Sequence, residues 1–159
     1  AKKGNENVKN MGYILHCFQC LHRETAKGLF LIKHPGKCSE CGSKINVAGP
    51  LWLGKLFDRQ FCELVRKEVR RMAFKQGKKI RKILTLIENE VEAPITYYVV
   101  DKLCDKLNLP VPPVKEVIEA LRERGFQAVL THFNATGIRS NASASDMKEL
   151  LLKIVKAKW

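Results

Sequence analysis

The chain has 159 residues, with 29 Lys and Arg against 16 Asp and Glu, giving a formal net charge of +13. Apolar residues make up 45% of it, too many for a disordered polymer and enough for one domain or two small ones. The longest apolar runs are far too short to cross a bilayer and the first ten residues lack an apolar signal core, so the composition points to a cytoplasmic protein with an anionic partner, nucleic acid first among them.

Residues 1–10 are polar and read as a linker from a preceding domain. Residues 11–49 hold Cys17-x2-Cys20 and Cys38-x2-Cys41. Two-residue spacing lets both thiolates of a knuckle reach one ion, and 17 intervening residues let two knuckles converge tetrahedrally. Gly42 stands where a tight knuckle needs positive φ. Three strands are expected, over 12–16, 27–33 and 44–47, making a zinc-ribbon-like module. A four-thiolate shell has no open position, so its zinc is expected to be structural; a pair of disulfides and four buried free thiols are the competing readings. His16, His22 and His34 are surplus to the shell. Cys62 and Cys104, single on expected helices, read as small core residues.

Residues 50–159 read as a helical domain. Gly49-Pro50-Leu51-Trp52 is expected as a turn, with Trp52 covering the junction. Asp58 is expected to cap a helix over 59–74 with apolar positions at 61, 64, 65, 69 and 72. A break at Gly77 precedes a second helix to about 91, with Ile80, Ile83, Leu84, Ile87 and Val91 on one face; Pro94 ends it. Nine basic residues and one acid, Glu68, lie between Arg66 and Lys82. Without acids at i±4, like charges repel along these helices, and an anionic ligand relieves that cost. Arg66, Lys67, Arg70, Arg71, Lys75, Lys78, Lys79 and Lys82 are therefore expected nucleic-acid contacts.

Further on, a helix is expected over 96–107, a rigid turn over 108–113, a helix over 113–124, strands over 126–133 and 137–140, and a last helix from 145–146 to 155. Helix, turn, helix and two-stranded wing is a winged-helix-like order. The second helix mixes Lys115, Arg122 and Arg124 with Glu116, Glu119 and Glu123, a poor face for phosphate. The wing adds His132, Asn134 and Arg139 as expected contacts. The fold class is thus α+β: a small zinc-ribbon-like β-unit, then a helical domain ending in a winged-helix-like unit. No phosphate-binding glycine loop, dinucleotide fingerprint or nucleophile elbow appears, and no complete active site.

Gly12-Tyr13-Ile14-Leu15 before the cysteines, Cys38-Ser39-Glu40-Cys41-Gly42 followed by Gly49-Pro50-Leu51-Trp52-Leu53-Gly54, and Thr131-His132-Phe133-Asn134 with Gly137-Ile138-Arg139-Ser140-Asn141-Ala142 resemble the C-terminal region of the archaeal tRNA guanine-26 N2-dimethyltransferases. The opening Ala1-Lys2-Lys3-Gly4 resembles the segment after their methyltransferase domain. Arg139, Ser140 and Asn141 depart from the family's basic-Thr-Asp pattern. The resemblance implies tRNA as partner, with S-adenosylmethionine bound in an N-terminal methyltransferase domain, on the same chain or a split one, while this region grips the tRNA backbone. It also implies that disulfides replace the metal in some members. The rival class is a zinc-ribbon and winged-helix DNA-binding regulator; a protein-interaction subunit is a third.

Overall fold

The computed structural model describes residues 7–30, 34–72 and 74–157. The opening Ala-Lys-Lys-Gly and part of the expected 27–33 strand lie outside them.

The first sheet has the order β2-β1-β3, with both pairings antiparallel: β1 is Met11–His16, β2 Arg23–Lys27 and β3 Asn46–Trp52. The second strand therefore sits four residues before its expected start. The chain reverses through the first cysteine knuckle, which closes on His16↔Arg23, and the residues that emerge pair at once with β1. Their sequence, Arg-Glu-Thr-Ala-Lys, carries no apolar signature. Leu29 and Phe30, which suggested the strand, are exposed. The expected turn at 49–52 is instead the end of β3, which reaches Met11↔Trp52 and includes a cis Gly49–Pro50 bond. Gly12 is required in β1 because a Cβ there would collide with the Ala26 carbonyl and come within 2.5 Å of Leu53 Cδ1. Trp52 lies over Gly54 and donates its indole N–H to the Lys55 carbonyl at 3.1 Å.

Helix α1, Arg59–Arg71, starts where Asp58 accepts the Phe61 amide at 2.7 Å, the expected cap. It packs mainly against α2, Gly77–Glu90. A helix with one principal neighbour buries a narrow stripe. Cys62, Val69 and Leu84 are buried, but Phe61, Leu64, Met72 and Ile83, expected in the core, are exposed.

The second sheet, order β4-β6-β5, comprises Tyr98–Val99, Gly137–Ser140 and Ala128–Leu130, all antiparallel. The helix expected from 96 begins at Val100 and runs to Leu107 (α3), because Tyr98 and Val99 pair with Ile138 and Gly137. These aromatic and β-branched residues suit a ladder better than a helix start. Asn108, at φ 51°, closes α3; α4 covers Val114–Glu123 and α5 Ala144–Lys156. The α5 cap is Ser143, in a reciprocal capping box with Asp146, two residues earlier than expected. Val100, Leu103, Cys104, Val117, Leu121, Ile138, Met147 and Leu151 form the core of this part.

One carboxylate ties the helical hairpin to the second sheet. Glu90, the last residue of α2, is buried and accepts from Thr131 Oγ1 at 2.8 Å, from the His132 amide at 2.7 Å, from His132 Nδ1 at 2.8 Å and from Arg139 Nε at 2.5 Å. Arg139 also donates Nη1 to the Pro94 and Ile95 carbonyls, at 2.7 and 2.6 Å. Burial opposes ionisation of Glu90, but the hydrogen bonds from His132, Thr131 and Arg139 outweigh it and hold its pKa below the ordinary value. Its ionised form therefore stabilises the fold above the unfolded-state pKa, and that contribution is lost as pH falls through the lower folded value. Glu90→Gln, which leaves Arg139 buried without its anion, is expected to cost about 3–5 kcal/mol at neutral pH, with the difference from wild type shrinking in acid. Denaturant unfolding checks it, and adding Arg139→Met should recover part of the loss; a neutral Glu90→Gln would show that the pair holds nothing together.

Candidate nucleic-acid interface and cysteine cluster

The four cysteines of the two knuckles converge. Their Sγ atoms all lie within 4.8 Å of one another, with Cys17–Cys41 and Cys20–Cys38 at 3.5 Å. All are free thiols. Sulfurs placed tetrahedrally about 2.3 Å from a zinc ion would stand about 3.8 Å apart, and a disulfide needs about 2.05 Å, so the donor set fits a thiophilic cation. Each knuckle is closed by its own backbone: the Leu21 amide donates to the Cys17 carbonyl and the Gly42 amide to the Cys38 carbonyl, both at 2.9 Å. Gly42 has φ +70°, as the sequence required. Burial pushes the Cys20 thiol up to about 12, whereas hydrogen bonding from Ser43 draws the exposed Cys41 down to about 6.

None of the three nearby histidines joins the cluster. His22 spans two carboxylates, with Nδ1 2.9 Å from Glu40 and Nε2 2.6 Å from Glu24. His16 packs edge-on against Phe18, and His34 Nδ1 lies 3.2 Å from the Pro35 carbonyl.

The cluster is joined to the helical part through its knuckle residues. Leu21, at φ 64°, is buried in the core formed by α3, α4 and α5. Arg23 lays its guanidinium 4.2 Å over the Tyr98 ring. Glu40 accepts Ser145 Oγ at 3.0 Å from the start of α5.

The basic residues of the α1–α2 hairpin divide into two sets. Arg66 is taken up by Glu88 across the hairpin, and Arg71 by Glu68 at 2.8 Å. Lys67, Arg70, Lys75, Lys78, Lys79 and Lys82 are exposed and make no ion pair among the described residues. Lys78 and Lys79 each neighbour Lys82 on the surface of α2, at i,i+4 and i,i+3. Such an assembly is cationic, exposed and short of internal anions, the physical requirement for binding a polyphosphate backbone.

The wing residues fare differently. Arg139 is 2% exposed, and its guanidinium is committed to Glu90 and two carbonyls. The expectation that it meets nucleic acid is therefore corrected: it is an internal counter-ion. His132 commits Nδ1 to Glu90 and packs 4.0 Å from the Phe133 ring. Asn134 accepts the Thr136 amide at 2.8 Å and its hydroxyl at 3.0 Å, shaping the β5–β6 loop. On α4, Lys115 sits 3.6 Å from Glu119, in keeping with that helix's mixed charge.

Glu90 was missed by sequence reasoning, although it continues the Ile83–Ile87 stripe as a lone acid on an apolar face. Arg23, Phe18 and Tyr97 were missed as well, since nothing in their local sequence shows that the first knuckle meets β4.

The family model for N2,N2-dimethylguanosine tRNA methyltransferase matches residues 1–152. A tRNA (guanine(26)-N(2))-dimethyltransferase of Methanosphaera stadtmanae is 37% identical over 158 residues, which cover 99% of this chain and 40% of that protein. A tRNA (guanine(26)-N(2)/guanine(27)-N(2))-dimethyltransferase of Aquifex aeolicus is 34% identical over 92% of the chain and 36% of its own length. The structure of Trm1 from Pyrococcus horikoshii, solved with S-adenosyl-L-methionine, superimposes with a TM-score of 0.79 at 30% identity, over 95% of this chain and 38% of that one. The chain thus spans about two-fifths of the length of the relatives it matches. By sequence and by fold, it belongs to the N2,N2-dimethylguanosine tRNA methyltransferase family.

Proposed function

We propose that this chain is the tRNA-gripping, C-terminal portion of an S-adenosylmethionine-dependent tRNA guanine-26 N2-dimethyltransferase, working in the cytoplasm. It holds the tRNA backbone while a separate N-terminal domain receives the target base, flipped from its stack, and methylates it. S-adenosylmethionine supplies the methyl groups in that domain, and no residue of this chain is assigned to it. The observation that carries the reading is the set of exposed cations of the α1–α2 hairpin that have no ion pair among the described residues, in a chain of this family. Both described sheets support the division of labour. They are three-stranded and antiparallel, whereas nucleotide-like cofactors bind at the carboxyl ends of parallel strands in open α/β sheets.

Within this reading, β4, α3, α4 and the β5–β6 hairpin are a winged-helix unit whose first strand completes the wing sheet. The contact surface is Lys67, Arg70, Lys75, Lys78, Lys79 and Lys82, with Arg66 and Arg71 at its edge and His132 and Asn134 at the wing. The cysteine module is a zinc ribbon. Its ion is structural, because four thiolates leave it no open position, and it braces the module against the helical part.

Three outcomes are expected. Purified chain with tRNA and S-adenosylmethionine binds the tRNA without transferring methyl groups; measurable methylation would contradict the division of labour. Charge reversal at Lys78, Lys79 and Lys82 together weakens tRNA binding at fixed salt by tenfold or more and lowers the slope of log affinity against log salt by about two to three. An unchanged affinity would remove this surface, and a duplex DNA that competes better than tRNA would favour the regulator. Elemental analysis finds about one zinc per chain, and chelation or Cys20→Ser lowers the melting temperature; metal-free protein whose cysteines resist thiol reagents would favour disulfides.

A further inference from the structure

A second surface has the chemistry of a nucleotide site. Between the cysteine module and the second sheet lies an open cleft of about 830 Å³, within the roughly 300–1,000 Å³ usual for small-molecule sites. Its aromatic walls are Phe18, His16 and Tyr97, and its cations are Arg23, Lys102 and Lys106. Among the described residues, no Asp or Glu lines it.

The arrangement is built. Phe18 stands at the turn of the first knuckle, between Cys17 and Cys20, and is held 65% exposed, with His16 edge-on at 4.7 Å between ring centroids. A large aromatic side chain that faces water from a rigid knuckle gains nothing from the fold. Tyr97 also lines the cleft, and its ring stacks nearly parallel (11°) with Phe133 at 6.2 Å. Lys102 and Lys106 are one turn apart on α3, both exposed and without an ion pair among the described residues. Arg23 has no carboxylate partner among the described residues; its guanidinium is stacked 4.2 Å over the Tyr98 ring and its Nε is buried without a hydrogen bond. Burial strips hydration from this guanidinium and lowers its pKa, so an anion beside it relieves a real cost.

Aromatic faces beside unpaired cations are how proteins hold single-stranded nucleic acid: the ring stacks a base while the cations take the phosphates. We infer that this cleft binds an unstacked nucleotide of RNA, its base against Phe18 and Tyr97 and its phosphates against Arg23, Lys102 and Lys106. The inference deepens the tRNA-binding reading and rests on it: α1–α2 grips the backbone, and the cleft captures a nucleotide displaced from the stack.

The test is fluorescence anisotropy at fixed salt on the full chain, with labelled tRNA and a labelled single-stranded oligouridylate as probes. Phe18→Ala truncates an exposed ring and should weaken oligouridylate binding about tenfold, the weight of one stacked base. Lys102→Ala with Lys106→Ala, on a different element, should weaken it too and lower the salt slope by about one. Inorganic polyphosphate should compete poorly; competition equal to the oligonucleotide's would overturn base capture. If the unaltered chain binds tRNA but Phe18→Ala leaves oligouridylate affinity unchanged, the cleft is overturned and the tRNA reading stands. If oligouridylate binds through Phe18 while tRNA does not bind, the proposed function falls and the cleft stands.

Discussion

Glu90 and Arg139 form the interaction on which the arrangement of this molecule depends. A carboxylate and a guanidinium removed from water repay their desolvation only if their hydrogen-bonding capacity is filled. Here it is filled by three parts of the chain that are distant in sequence. Glu90 closes α2, Thr131 and His132 follow β5, and Arg139 lies in β6 and reaches back to the Pro94 and Ile95 carbonyls ahead of β4. The α1–α2 hairpin has little other packing against the second sheet beyond the contact of α2 with β5. The electrostatic node therefore fixes where the cationic hairpin stands relative to the wing. This explains why an arginine that looks like a phosphate contact in sequence is withdrawn from the surface: a buried glutamate without it would be an unpaired charge.

A second constraint couples the cysteine cluster to the same core. The knuckles bring four sulfurs together, and the residues between those cysteines face outward to different tasks. Leu21 enters the helical core, Glu40 receives Ser145, and Phe18 points into the open cleft beside Tyr97. An ion held by the four thiolates would thereby position an aromatic ring on the surface without being part of any chemistry. The proposed binding surfaces are in this sense side products of structural devices: the ion pair that sets the hairpin and the knuckle that sets the ring.

Local chemistry made much of this legible in advance. Cysteine spacing, the positive-φ glycine after the second pair, the Asp58 cap, the α4 boundaries and β6 follow from short-range rules, and the structure has them. The failures are tertiary. Strand β2 has no apolar pattern, because its register is imposed by the knuckle that precedes it. Tyr98 and Val99 leave the helix for a ladder with a strand 38 residues later. Phe61, Leu64, Met72 and Ile83 have helical spacing but too few neighbours to be covered, which sequence periodicity cannot show. The cationic run was visible as composition, yet which cations remain free was decided by Glu68 and Glu88, one of them across the hairpin. The cleft was invisible, since its walls come from separate elements.

The central claim is that this fold grips RNA by unpaired cations on fixed surfaces. The salt dependence of tRNA affinity for the unaltered chain tests it most directly. The six exposed cations of the α1–α2 hairpin without an ion pair among the described residues predict a linear fall of log affinity with log salt, with a slope of about −4 or steeper. An affinity that barely changes with salt would contradict the account.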